Sequence, residues 1–327
     1  MNPDRPRILI VKTSSMGDIV HSFPMVTDLR RHRPHAQIDW LAEEAFASLP
    51  LLHPGVQQVL PVALRRWRRT VGSVSTWREW RLFWQRLRTE HYDVVLDNQG
   101  LLKSALLARA AHGPAWGADR RSAREGLAAW LYHRRVPMRW QQHAIARNRE
   151  LAARLFGYAV PTDLPDYGLP CRGKVDARLV VCLHATSRAT KEWPEESWRA
   201  LLAALADRGF VAHLPYAHNG SADERRARAL AAAVPGTQVL APRPLGALAP
   251  LLSSAALVVG VDTGLLHLAA AYGRPTVAIY VDSDPQLNGV CAGMGGVAMN
   301  VGRGDGAPSP GEVLAVIQSL PDLTPCP

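Results

Sequence analysis

Arg7-Ile8-Leu9-Ile10-Val11-Lys12-Thr13-Ser14-Ser15-Met16-Gly17-Asp18 is the stretch from which the fold is read. Ile8 to Val11 is a short unbroken apolar run, as in a parallel strand buried on both faces. A polar loop follows, and a helix is expected from Asp18 to Arg33, with Pro24 near its first turns. Strand, loop and helix open a βαβ unit, and the pattern recurs along the chain. Further strands are expected at 38–41, 56–62 and 92–96, and helices at 101–111, 123–133 and 141–156. The stretch from Gly157 to Arg178 carries Pro161, Pro165, Gly168, Pro170 and Gly173 and breaks the pattern. A second series then offers strands at 179–183, 211–214, 238–240, 257–261 and 276–280, alternating with helices at 197–207, 223–233, 245–254 and 265–272. Ser309-Pro310-Gly311-Glu312 has the form of a capping box opening a last short helix. The expected architecture is α/β, with two Rossmann-like doubly wound domains at 1–160 and 179–327 joined by a linker at 161–178. Ligands of such sheets bind beyond the carboxyl ends of the strands, so the residues just after strands carry the chemistry. Two such domains are expected to face each other across a cleft.

The bulk properties agree with this reading. A chain of 327 residues exceeds what one hydrophobic core usually organises. No apolar run approaches the roughly 20 residues that span a bilayer. The N-terminus lacks the long apolar region of a signal peptide, so a cytoplasmic protein is expected. Cys171, Cys182, Cys291 and Cys326 are scattered without CxxC spacing, so neither a zinc site nor a disulfide framework is expected. The net charge of +10 points to an anionic partner, whether nucleic acid, an acidic membrane or a phosphorylated substrate. Only four of 38 cationic residues are lysines: Lys12, Lys103, Lys174 and Lys191. A lysine kept against such a bias suggests a need for a compact charge.

Four segments carry candidate chemistry. After the first strand, Lys12 to Asp18 is neither GxGxxG nor GxxxxGK. Its Asp18 reads equally as a helix cap and as a general base. After the first strand of the second domain comes His184-Ala185-Thr186-Ser187-Arg188-Ala189-Thr190-Lys191-Glu192-Trp193-Pro194, whose hydroxyls and Lys191 suit phosphate oxygens. Val261-Asp262-Thr263-Gly264 ends a buried strand and starts a helix, with His267 one turn on. The free N–H groups of a helix start bind phosphate. The fourth segment is basic and aromatic: Arg65, Arg66, Trp67, Arg68 and Arg69, then Trp77 to Arg88. It fits single-stranded nucleic acid, an anionic membrane surface, or an amphipathic helix whose tryptophans are core.

Taken together the segments resemble the lipopolysaccharide heptosyltransferases, which are GT-B glycosyltransferases of family 9. The resemblance spans nearly the whole chain. It rests on Val11 to Asp18, Ala63 to Arg68, Gln99-Gly100-Leu101 with Lys103-Ser104, Gln141 to Ala144, His184-Ala185-Thr186, Lys191 to Glu196, and Val261 to Gly264 with His267. It implies an ADP-heptose donor, a Kdo2-lipid A acceptor, and peripheral contact with the anionic inner membrane on its cytoplasmic face. By resemblance Asp18 is the catalytic base. Ser14, Thr186, Ser187, Lys191, Asp262, Thr263, Gly264 and His267 look like donor residues. Arg65, Arg66, Arg68, Gln99, Arg124 and His143 look like acceptor residues. Neither a metal nor a cofactor is expected, nor a nucleic-acid partner, and the chain is expected to be a monomer. The chain departs from the family at Val281-Asp282-Ser283-Asp284-Pro285 and around Tyr216 to Glu224, which leaves donor contacts there open. A GT-B transferase with another nucleotide sugar, or a basic nucleic-acid-binding protein, are the rival readings.

Overall fold

The computed structural model describes residues 5–170, 173–186 and 188–321. The chain divides into two compact units, Met1–Gly168 and Leu169–Pro327. In unit 1, β1 (Arg7–Val11), β2 (Gln37–Glu43), β3 (Val56–Val62), β4 (Val94–Asp97), β5 (Ala115–Ala118) and β6 (Arg134–Val136) form one parallel sheet in the order β3-β2-β1-β4-β5-β6. Ile8 pairs with Ile38 on one side and Val94 on the other, so the apolar run is the centre of the sheet. In unit 2, β7 (Asp176–Leu183), β8 (Val211–Pro215), β9 (Gln238–Leu240), β10 (Ala255–Val261), β11 (Thr276–Ile279) and β12 (Ala298–Val301) repeat that order as β12-β11-β10-β7-β8-β9. The direction of winding reverses between β1 and β4 in unit 1 and between β7 and β10 in unit 2. At such a switch point successive loops diverge and leave a crevice at the strand ends. Both crevices fall beside segments singled out from the sequence.

Three strands were not foreseen. β5 is Ala-Trp-Gly-Ala, and a Cβ on its Gly117 would lie 2.4 Å from the Tyr132 ring, so close packing rather than strand propensity chose that residue. β6 is Arg-Arg-Val at a sheet edge, and β12 has only four residues. The expected helix at 18–33 is instead two, Met16–Val20 and Phe23–His32. The break at His21-Ser22 is hydrogen-bonded rather than frayed. Asn98 donates to Ser22 Oγ at 2.8 Å, and Asn148 donates to the His21 carbonyl at 3.0 Å. The expected helix at 123–133 is a 3₁₀ segment, Gly126–Leu131, and the expected helix at 141–156 begins only at Ala144. That helix ends at Gly157, whose φ of +75° is the left-handed conformation that glycine adopts cheaply.

Each unit has its own core. Unit 2 centres on Trp193 and Trp198, buried and packed edge to face with centroids 5.2 Å apart. Trp193 Nε1 donates to the Pro308 carbonyl at 2.8 Å, which ties the loop before the last helix into this core. In unit 1 a buried charge crosses between helices. Arg149 forks onto Asp28 at 2.7 and 3.1 Å, and donates to the Asp163 carbonyl and carboxylate at 2.7 and 2.8 Å. Truncating one partner of such a pair leaves the other charge stranded, at a cost of about 3–5 kcal/mol. Arg149→Met is therefore expected to destabilise the protein by about that amount in urea unfolding, whereas Arg154→Met, on a half-exposed neighbour, should cost far less.

Candidate active site

In unit 1 the crevice is built outward from Asp97, the last residue of β4. Its buried carboxylate accepts from Gln99 N (2.8 Å), Gly100 N (3.1 Å), Ser104 Oγ (2.8 Å) and Tyr132 OH (2.6 Å). Burial nonetheless pushes its pKa up, against those donors. The turn it fixes needs Gly100 at φ +68°. Gln99 Oε1 in turn accepts both the backbone N–H and the hydroxyl of Thr13, each at 2.8 Å. The loop after β1 is thus held by the loop after β4.

Asp18 sits in the short helix that follows. Its Oδ2 accepts from Ser15 N at 2.9 Å and Ser15 Oγ at 2.8 Å, closing a capping box. Its Oδ1 lies 3.9 Å from Lys12 Nζ. Capping therefore engages one oxygen, Oδ2, and leaves Oδ1 out of the Ser15 contacts. Burial opposes its charge, but Lys12, the Ser15 donors and Arg124 outweigh it and hold the carboxyl below its usual range. Lys12 is itself buried, donates to the Asn98 carbonyl at 3.0 Å, and has its pKa lowered by that burial. Arg147, unremarked in the sequence, belongs to this charge cluster. Burial lowers its pKa, with Asp18 opposing that effect, and it stacks 4.6 Å over Trp140. Nothing marks Arg147 out in a chain so rich in arginine.

The remaining acceptor candidates separate. His143 caps the helix Ala144–Phe156 by accepting from Ile145 N, and packs edge-on to His21 at 5.2 Å. Arg124 is exposed, and Ser14, a donor candidate in the same unit, is half-buried. Arg65 and Arg68 are exposed in and beside the helix Leu64–Trp67, and the Arg65 N–H is held by Glu43. Arg66, also exposed, chelates Glu44 with two bonds at 3.0 Å and meets Glu79 at 2.8 Å.

In unit 2 the loops after β7 and β10 meet. Thr186 Oγ1 donates to the Asp262 carbonyl at 3.1 Å, and Lys191 pairs with the Asp262 carboxylate. Ser283 donates to that carboxylate at 2.9 Å. Thr263 caps the helix Gly264–Ala271 without a side-chain bond, which leaves first-turn amides for an anion. His267 is buried one turn in. Ser187 lies outside the described residues. Ser283 belongs to the divergent 281–285 stretch, so it was hidden by the departure that cast doubt there. Nearby, Glu224 is absorbed locally by Gly220 N (2.6 Å) and Arg228 (2.7 Å). Burial, then Arg226, pushes His184 down to about 4, so it is neutral at pH 7. The Asn288–Gly296 stretch is anchored by Asn300, which bonds both the N–H and the carbonyl of Val290 at 3.0 Å. Among the described residues no His/Cys/Asp/Glu cluster is arranged to hold a metal.

The chain matches the model of glycosyltransferase family 9 (heptosyltransferase) over residues 80–302. It is 45% identical to lipopolysaccharide heptosyltransferase 1 of Pseudomonas aeruginosa, across 86% of this chain and 81% of that one. It is 44% identical to the enzyme of the same name from Escherichia coli K12, across 86% and 90%. The structure resembles E. coli heptosyltransferase WaaC solved with ADP, with a TM-score of 0.87, 40% identity and coverage of 95% and 99%. It also resembles WaaC with ADP-2-deoxy-2-fluoro heptose, with a TM-score of 0.85.

A charged donor reaching a phosphate contributes about 1.5–3 kcal/mol, or about 10- to 100-fold in affinity. Lys191→Ala is expected to weaken pyrophosphate binding by that factor in calorimetry. Unchanged affinity would remove Lys191 from the site.

Proposed function

This chain belongs to glycosyltransferase family 9, the heptosyltransferases, and on that premise we propose how its residues transfer a heptosyl group in lipopolysaccharide inner-core synthesis. The donor is ADP-heptose, and the acceptor we infer is the Kdo of Kdo2-lipid A. The observation that carries the reading is the turn in unit 2, where open first-turn amides lie beside a lysine that Asp262 holds at the helix start. That combination fits the diphosphate of a nucleotide sugar.

The reaction is a single displacement. The acceptor hydroxyl oxygen bonds to the anomeric carbon of heptose while the bond from that carbon to the diphosphate oxygen breaks. One displacement inverts the configuration. The electron pair leaves on ADP, where Lys191 and the amides at Thr263-Gly264 stabilise the growing negative charge. Ser14, Thr186, Ser187, Asp262 and His267 complete the donor set, with Ser283 holding Asp262 in place. The hydroxyl proton passes to Asp18 Oδ1. A carboxylate held below its usual pKa is ionised at neutral pH and always ready, though it is a weaker base. Arg65, Arg68, Gln99, Arg124 and His143 serve the acceptor, whose carboxylates and phosphates suit the guanidinium fork. Arg66 belongs to the same acceptor surface, held in place by Glu44 and Glu79. An acceptor embedded in a bilayer asks for an enzyme at the inner-membrane surface. Among the described residues no helix is long and apolar enough to cross a membrane.

Asp18→Asn is expected to fold, to keep ADP affinity in calorimetry, and to lose turnover by at least roughly a hundredfold. Near-normal turnover would end its assignment as the base. Lys12→Met takes away the cation that favours ionised Asp18. The low-pH limb of kcat/KM should then move to higher pH, and an unmoved limb would show that Asp18 does not set it. Arg65→Ala with Arg68→Ala should raise the acceptor KM and leave the donor KM alone, and a donor-only effect would contradict that placement.

A further inference from the structure

The helix Val74–Thr89 buries Thr76, Phe83 and Leu87 on one side, yet it does not bury all its tryptophans. Trp77 is 58% and Trp80 41% exposed, and Val71 and Val74 just before them are exposed too. Trp77, Trp80 and Trp84 follow one another at i, i+3 and i+7, each meeting the next edge to face with centroids 5.8 and 5.5 Å apart. Trp77 Nε1 is pinned to the Val71 carbonyl at 2.8 Å. Trp80 and Trp84 line a groove with Arg81 and Arg88, and its far wall includes Ala110 of the helix Leu102–Ala110. That helix exposes Leu102 and Leu106, so the apolar surface does not stop at one element. From Arg65 to Arg88 the chain has eight arginines and one carboxylate, Glu79, which is already neutralised by Arg66.

We propose that this face of unit 1, centred on Trp77, Trp80 and the Arg81–Arg88 groove, docks on the surface of an anionic phospholipid bilayer. Indole rings partition to the boundary between acyl chains and headgroups, and arginines beside them reach phosphates while their stems stay in apolar surroundings. A second copy of the chain is a poor occupant, because a symmetric contact would set the arginines against their own images. A nucleic acid needs open aromatic faces for stacking, and the edge-to-face chain turns these rings against one another. The proposal rests on the reading that the acceptor is a membrane lipid, and it assigns the surface that brings the enzyme there.

The test is flotation of the full chain with phosphatidylglycerol vesicles against phosphatidylcholine vesicles, at low and high salt. Beside it runs turnover of ADP-heptose with a Kdo acceptor that lacks acyl chains. Wild type should bind the anionic vesicles and be released by salt. Trp77→Ser with Trp80→Ser should weaken that partition by about tenfold or more. Arg81→Glu with Arg88→Glu should weaken it by a similar factor through charge alone. Both variants should turn over the acyl-free acceptor within about twofold of wild type, since neither pair belongs to the proposed substrate site. Wild-type binding that ignores lipid charge, or partition unchanged in the tryptophan variant, overturns the proposal. So does single-stranded RNA binding by wild type, lost in the variants, with no vesicle binding. Absence of turnover by wild type on the acyl-free acceptor would count against the transfer reading, while the flotation result would still judge the docking face.

Discussion

The buried carboxylate of Asp97 is the constraint on which the unit 1 site depends. An ionised or hydrogen-bonded acid at the end of a central strand is costly unless donors surround it. Here the donors are two backbone amides of the next turn, a serine from the following helix and the tyrosine that closes the 3₁₀ segment. Satisfying Asp97 therefore shapes the turn, and the turn aims Gln99 at Thr13. Thr13 in turn fixes the register of the loop that leads to Asp18. Asp18 is positioned through a relay of bonds that begins on the neighbouring strand. Its own helix, of five residues, is too short to place it alone.

Much of the fold was legible because it rests on burial and periodicity. The run Ile8 to Val11 could be read as a central strand, since a strand covered on both faces has no polar alternation to hide it. The repeated βα alternation gave the class, and Ser309 to Glu312 gave the last helix start through capping chemistry. What escaped was decided by tertiary contacts. The helix break at His21-Ser22 depends on Asn98 and Asn148, which are distant in sequence. β5 owes its glycine to the Tyr132 ring, and β6 and β12 are too short for any pattern.

The site divides in the same way. The Asp262-Thr263-Gly264 turn could be read from local physics, because any strand ending in such a helix start exposes amides. Lys191 stood out by rarity. For Arg66 a sequence shows a cation but not its carboxylate partners, Glu44 and Glu79, which the fold brings to it. Asp18 could not be assigned from sequence between cap and base. In the structure only one of its two oxygens is engaged by Ser15, so the capping role does not by itself exclude the proposed one.

The uneven placement of tryptophan has an optical consequence. Among the described residues every exposed indole belongs to unit 1, while both indoles of unit 2, Trp193 and Trp198, are shielded in its core. Fluorescence quenched by a dissolved collider such as iodide or acrylamide therefore comes from unit 1. The unquenched, blue-emitting remainder includes the paired indoles of unit 2. One emission spectrum thus carries two signals, one reporting the surface of unit 1 and the other including the integrity of the unit 2 core, with no added label.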